Sequence, residues 1–357
     1  SGAGAGGWKI AQNAGQAITT YPAVDLLARD WAIPSVPVES WRAVASSADG
    51  MRLVAVPYAG PIYTSADAGV NWAAVGPSDG WVTVASSADG SVLSAAAYNG
   101  GFYMSFDYGA NWQQRLGSTS WNAVASSASG EVIALTARAN LLYVSTSYGF
   151  NWTAGVGGLE WSAIAMSADG SHMAATVNGG QIYVSTDTGQ TWTARGSTLG
   201  WRAVAMSADG SRIVAAGDAQ SVYVSDDYGV TFTAVANVAN WTGVASSADG
   251  NRLVAVSSDG PIYSSEDAGA TWTLRPPSNE WVAVASSADG SRLVAATYPQ
   301  NWGTPLLTTT GPSSVLSTSV GTGGWIAGDQ FQTVELQYIG NDRFVVLDAT
   351  GTGFEIK

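Results

Sequence analysis

Apolar and polar residues alternate in short runs along most of this chain, and the runs come in a fixed order. The first complete set starts at Trp41. "WRAVASS" alternates and is rich in small and β-branched residues, the pattern of a half-buried strand. "ADG" follows as a tight turn in which glycine can supply φ > 0. "MRLVAVPY" reads as a second strand and "PIYTS" as a third. "ADAG" turns again, and "VNWAAV" is a fourth strand. No window holds a sustained 3.6-residue period, so a helical solenoid does not fit.

The set repeats every forty residues. Near-identical segments begin at Trp41, Trp81, Trp121, Trp161, Trp201, Trp241 and Trp281. Four short strands in about 40–45 residues is the size of a propeller blade. The sequence therefore predicts an all-β, seven-bladed β-propeller with four-stranded blades. The seventh unit supplies only three strands, "WVAVASS", "SRLVAATYP" and "TPLLTTT". A matching fourth strand, "RDWAIPSV", lies at residues 29–36, before the first unit. It is expected to close the last blade, with Trp31 at the junction of units seven and one, and so to remove an open sheet edge. The predicted organisation is an N-terminal extension (1–28), a propeller (29–310) and a C-terminal linker with a β-hairpin (311–357). "GTGGWIAG" resembles "GAGGWKIA" near the start, and "GND" separates two alternating runs. The termini are expected to form a small β appendage through which the chain could associate.

The second turn of each unit carries Ser-x-Asp-x-Gly-x-x-Trp, as in "SADAGVNW". This pattern resembles the Asp-box, or BNR repeat, found in sialidases and in several propellers with no enzymatic activity. Six copies are centred on Asp67, Asp107, Ser147, Asp187, Asp227 and Asp267, with Phe232 in place of Trp in the fifth. The resemblance covers about residues 30–310. It implies the architecture strongly and an activity weakly, since fold does not fix function. The Asp side chain can bond backbone N–H groups across the turn, and the glycine two positions on can take a left-handed conformation. That assigns the five aspartates a structural role. The Arg-x-Pro motif of sialidases is absent.

Charge and composition narrow the partners. The net charge is −13, and the only lysines are Lys9 and Lys357, so neither nucleic acid nor an anionic membrane suits this surface. There is no cysteine, one histidine (His172), no zinc spacing and no long apolar stretch. No metal, no cofactor and no membrane insertion are expected.

The strand order puts the uniform "ADG" and Asp-box turns on one face. The variable loops, "PYAG", "AYNG", "ARAN", "VNGG", "GDAQ", "SSDG" and "TYPQNWG", lie on the other with the inter-unit segments. Candidate ligand residues on that face are Trp41, Arg42, Tyr58, Tyr98, Arg138, Asn178, Arg202, Asp259 and Trp302. The second residue of the first strand varies (Arg42, Val82, Asn122, Ser162, Arg202, Thr242, Val282) and is expected near the channel mouth. The Trp41 series either packs between blades or forms an aromatic platform. Arg52, Arg212, Arg252 and Arg292, just after the "ADG" turns, read as solvated strand residues. Glu160 is a further acidic candidate, and the third unit stands apart because Ser129 and Ser147 replace aspartates. The expected function is a non-catalytic, extracytoplasmic (cell-surface or periplasmic) binding or adhesion propeller for a glycan or a protein partner. One alternative is a glycoside hydrolase or polysaccharide lyase, for which Glu39 and Glu280 are the acidic pair to consider. The other is a structural or assembly scaffold, similar to the photosystem assembly-factor propellers that carry Asp-boxes.

Overall fold

The structure, a computed structural model, describes residues 7–11, 17–20, 31–32, 39–235, 239–297, 306–309, 316–317, 325–329, 333–340, 343–350 and 355–356. No helix occurs among the described residues. The chain divides into two compact units, Asp30–Thr309 and a second made of Ser1–Arg29 with Thr310–Lys357. In the second unit Gly7–Ala11 pairs antiparallel with Trp325–Asp329, so the two related Gly-Gly-Trp segments lie side by side. Trp325–Asp329 also pairs with Glu355–Ile356. Ala17–Thr20 runs between Leu316–Ser317 and Arg343–Thr350, and the latter forms an antiparallel pair with Thr333–Gly340.

Asp30–Thr309 is a β-propeller, and its hydrogen bonding corrects the expected blade count. The seven Trp-led units fall into six sheets, so the propeller has six blades rather than seven. Five sheets have four strands. The other has six and carries the fourth and fifth units together. The reason is local. Met173–Ser185 and Thr193–Met206 continue unbroken where other units break, because Asn178 pairs with Gly200 and Gly180 with Leu199. At the same place the first three units have only isolated bridges, Gly60 to Asp79, Tyr98 to Ser120 and Asn140 to Leu159.

The sheet starting at Trp281–Ser286 takes its outer strand from the far end of this unit. Trp31–Ala32 pairs antiparallel with Leu307–Thr309, Trp31 opposite Thr309. Residues 33–36 lie outside the described residues. Trp31 packs on Trp281 at 5.8 Å between ring centroids, in a cluster with Ile262 and Leu293. That places it between units six and seven, not seven and one.

The first strands contact one another round the ring and are innermost. The second strands, such as Leu53–Pro57, are buried along their whole length. Each tryptophan of the Trp41 series is 0–4% exposed. Six of the seven meet a tyrosine of their own unit edge-on, as Trp41 meets Tyr63 at 5.3 Å and Trp241 meets Tyr263 at 5.2 Å. The seventh unit has no such tyrosine, and Trp31 is the aromatic partner of Trp281 instead.

On the "ADG" face a belt of backbone hydrogen bonds joins the units. The Ala48 N–H donates to the Ala88 carbonyl at 2.7 Å, Ala88 donates to Ala128, and so on until Ala288 donates to Ala48 at 2.7 Å. Beside the belt, the residue after each turn packs under the glycine of the next unit's turn. Arg212 and Arg252 span the gap, donating to the carbonyls of Gly250 and Asp289. These arginines are therefore half-buried braces rather than solvated strand residues. Val132 fills the same place under Gly170, which has φ 75°. A Cβ there would lie 2.7 Å from the Val132 Cβ. Gly170→Ala therefore combines left-handed strain with overpacking and should cost about 2–4 kcal/mol. A urea titration should show a lower midpoint, and an unchanged midpoint would mean that the junction has slack.

Candidate functional site

Wherever the aspartate is present, each of a unit's two uniform turns is built on it and a buried serine. In the first, the Ser47 Oγ donates to Asp49 Oδ1 at 2.6 Å and accepts from the Arg52 N–H. In the second, Ser65 Oγ donates to Asp67 Oδ1 and accepts from Gly69 N–H, while Asn71 donates to both Asp67 oxygens. The Trp72 Nε1–H donates to Gly69 O. The glycine is left-handed, and so is the residue before it, with φ 58° at Ala68 and 60° at Tyr108. The Ala68 N–H donates to Met51 O, which ties the second turn to the first on one face.

These bonds stabilise the charged carboxylates. The Thr191 hydroxyl and N–H hold Asp187 at about 2. The Thr231 N–H and hydroxyl do the same for Asp227, and Ser167 does so for Asp169. Asp67, Asp107 and Asp267 are lowered by the corresponding donors. In the second turns both carboxylate oxygens of each aspartate accept from their own turn. In the third unit serine replaces both acids, and the bonds lengthen to 3.3 Å at Ser129 and 3.5 Å at Ser147.

The opposite face carries a cleft of about 90 Å³ where units three, four and five meet. Three sequence candidates converge there, Arg138, Asn178 and Arg202. Asn122, Glu160 and Ser162 complete its polar wall, and Trp161 and Trp201 form its floor. Asn122 Nδ2 donates to the carbonyls of Trp161 and Ser162, which fixes the amide between two units. Ser162 and Thr176 hydroxyls bond at 2.9 Å. Arg138 Nε lies 3.6 Å from Glu160, and both side chains are more than half exposed. Arg202 holds Asp218 through Nε and Nη2, each 2.6 Å from the same oxygen. Ion pairs this exposed are worth about 0–1 kcal/mol. A carboxylate arriving from outside can therefore replace Glu160 or Asp218 at little cost. The Asn178 side chain makes no hydrogen bond among the described residues and is exposed.

The other candidates are not gathered here. Arg42 lies over the Tyr58 ring at 5.0 Å in the first unit. Tyr98 is exposed in the second. Asp259 accepts from Asn240 Nδ2 in the sixth. Glu39 accepts from the Tyr63 hydroxyl at 3.3 Å. Glu280 is half-buried at the start of the seventh unit. Trp302 lies outside the described residues. Trp41 is 0% exposed, so it presents no ring face to a ligand and the aromatic platform is corrected to core. Five of the series, Trp81, Trp121, Trp161, Trp201 and Trp241, instead anchor loops and inter-unit segments of the variable face by their ring edges. Trp81 Nε1 donates to Gly60 O, and Trp161 Nε1 donates to Asn140 O.

No family model matches this chain. No curated protein sequence matches it either. Solved structures do. YCF48 from Cyanidioschyzon merolae superposes with a TM-score of 0.60 at 16% identity, over 80% of this chain and 99% of that one. YCF48 bound to a D1 peptide gives 0.60 at 14% identity, over 81% and 99%. What they share with this chain is the β-propeller. At such identity the likeness reaches no further than the fold.

Proposed function

We propose that this propeller is a non-catalytic binding scaffold that docks a segment of a partner protein on its variable face. The observation that carries the reading is the cleft between Arg138 and Arg202, with its exposed and exchangeable ion pairs. A cavity of about 90 Å³ is well below the roughly 300–1,000 Å³ of small-molecule pockets. It suits a single carboxylate-bearing side chain or a chain terminus. The structural likeness to a propeller bound to a peptide is in keeping with a protein partner. The serine-aspartate turns are read as Asp-boxes in a purely structural role, because their carboxylates are consumed by their own turns. A glycan draws no support from this cleft, since both of its tryptophans are buried.

The test uses an immobilised peptide array in which each sequence is present with a free C-terminal carboxylate, with an amidated terminus, and with acidic side chains exchanged for amides. Wild-type protein should retain carboxylate-bearing members. Arg138→Ala/Arg202→Ala should lose most of that retention while melting like the parent. Equal binding by the parent and the double variant would sink the proposal.

A further inference from the structure

Asn-Gly occurs twice in the chain, at 99–100 and 178–179, each time in a variable-face loop. An asparagine followed by glycine is chemically labile. With no side chain on the next residue, its backbone nitrogen can reach the asparagine carboxamide. Structure decides whether it does. At the first pair both reacting groups are held. The Gly100 N–H donates to the Ala97 carbonyl at 3.1 Å, and the Ser120 hydroxyl donates to Asn99 Oδ1 at 3.2 Å. A Cβ built on Gly100 would lie 2.6 Å from Asp79 Oδ2, so a carboxylate also stands against it. A negative charge there opposes the loss of a proton from the Gly100 nitrogen.

The second pair is placed differently. Asn178 is exposed, and its amide makes no hydrogen bond among the described residues. The ladder steps from Asn178 opposite Gly200 to Gly180 opposite Leu199, so Gly179 is the extra residue of a β-bulge. It has φ 71°, and a Cβ built on it would meet nothing within 4 Å. Gly179 can therefore turn without breaking a ladder pair. The Asn178 amide also stands in the Arg138–Arg202 cleft. A Cβ built on Gly200 would lie 3.7 Å from Asn178 Oδ1 and 3.9 Å from the Cβ of Asp218, the acid that Arg202 holds.

We propose that Asn178 is a site of spontaneous deamidation that closes the cleft with time. The Gly179 nitrogen loses its proton and attacks Asn178 Cγ, forming an N–C bond. The Cγ–Nδ2 bond then breaks, and the amide nitrogen takes up a proton and leaves as ammonia. Water opens the resulting succinimide at either carbonyl, which gives aspartate or isoaspartate. The cleft sets Arg138 and Arg202 against Glu160 and Asp218, so its charges balance. A carboxylate at 178 makes it net anionic, and it then repels the carboxylate of an incoming segment. Isoaspartate also adds a backbone methylene, which disrupts the Asn178–Gly200 pair that joins units four and five. The loss of binding rests on the docking proposed above, whereas the deamidation does not.

Peptide mapping by mass spectrometry, on protein held in warm, mildly alkaline buffer, tests the chemistry. The peptide containing Asn178 should gain the mass of an amide-to-acid change about tenfold faster than the one containing Asn99. Asn178→Gln should stay unmodified, because the ring it would close is larger and slower to form. An Asn178 that stays an amide, or ages no faster than Asn99, overturns the proposal. Binding is read separately, on the array of free-carboxylate and amidated peptides. Fresh wild-type protein should retain the carboxylate-bearing peptides, and aged protein should lose that retention in step with its modified fraction. Asn178→Asp should bind about tenfold more weakly from the start. Asn178→Gln should keep through the incubation whatever retention it has when fresh, which separates this site from general ageing. Aged protein and Asn178→Asp that bind like fresh wild type overturn the closing of the cleft. Fresh protein that retains no peptide while Asn178 deamidates sinks the docking and leaves the modification standing.

Discussion

Deleting residues 1–32 should lower the melting temperature of the propeller by roughly 5–10 °C and raise light scattering on heating. Deleting residues 1–20 strips Gly7–Ala11 and Ala17–Thr20 from the second unit and should leave the propeller's own transition nearly unchanged. The longer deletion removes Trp31 from Trp281 and exposes the hydrogen-bonding edge of Leu307–Thr309. A half-buried tryptophan contributes less than the 3–5 kcal/mol of a fully buried one, so about 2–3 kcal/mol is lost with its packing. At roughly 2–4 °C per kcal/mol for a domain of this size, that gives the stated shift. The bare edge adds an aggregation route that no thermodynamic sum includes. A full-length Trp31→Ala variant separates the two effects, since it keeps the strand and removes the ring. If both truncations and the parent melted together without scattering, the outer strand would not be what closes this sheet.

Acid should unfold the protein over a narrow window. Eleven turn aspartates have carboxyls held below their ordinary value by serine, threonine, asparagine and backbone donors. In the unfolded chain they titrate near 3.9. A depressed folded-state pKa contributes stability that is present above the unfolded value and lost as the pH falls through the folded one. For Asp169, Asp187 and Asp227 the folded value is about 2, so their contribution disappears between about pH 4 and pH 2. Melting temperature plotted against pH should be nearly flat from 7 to 5 and fall steeply below about 4. Calorimetry in a buffer series measures it. A melting temperature unchanged down to pH 2.5 would mean that these carboxylates are titrating as in the unfolded chain.

The forty-residue period was enough to read the ring and its strand order. The blade count was not, because sheets are defined by hydrogen bonds. The ladder runs on from Asn178 to Gly200 past a loop, "VNGG", that is no shorter than "PYAG" or "AYNG", and no side-chain pattern marks that event. Of the functional candidates, Arg138 and Asn178 occupy the same variable position of units three and four, and Arg202, the second residue of unit five, borders them across the junction. Asn122, Ser162 and Glu160 carried the same signal, variation against a constant repeat. Tyr98, Asp259 and the Arg42–Tyr58 pair had it too but sit in units two, six and one, away from the junction of units three, four and five. Tryptophan at 41 was ambiguous for a different reason. An aromatic at a strand start can face either way, and only the packing on Tyr63 decided it.

The alanine belt has a consequence for the order in which the chain folds. Six of its bonds join residues forty positions apart, as Ala48 joins Ala88, while the bond from Ala288 to Ala48 joins residues about 240 apart. Closing a flexible loop six times longer costs only about 1.6 kcal/mol more, since the penalty grows with the logarithm of length. Equilibrium stability is therefore nearly indifferent to which bond is the long one. Kinetics is not, because non-local pairing must wait for the segments it joins. Neighbouring units can zip from any starting point, and the last event is the meeting of the two ends. A slow final phase, absent from a chain cut before that meeting, is the signature such a topology leaves in a refolding trace.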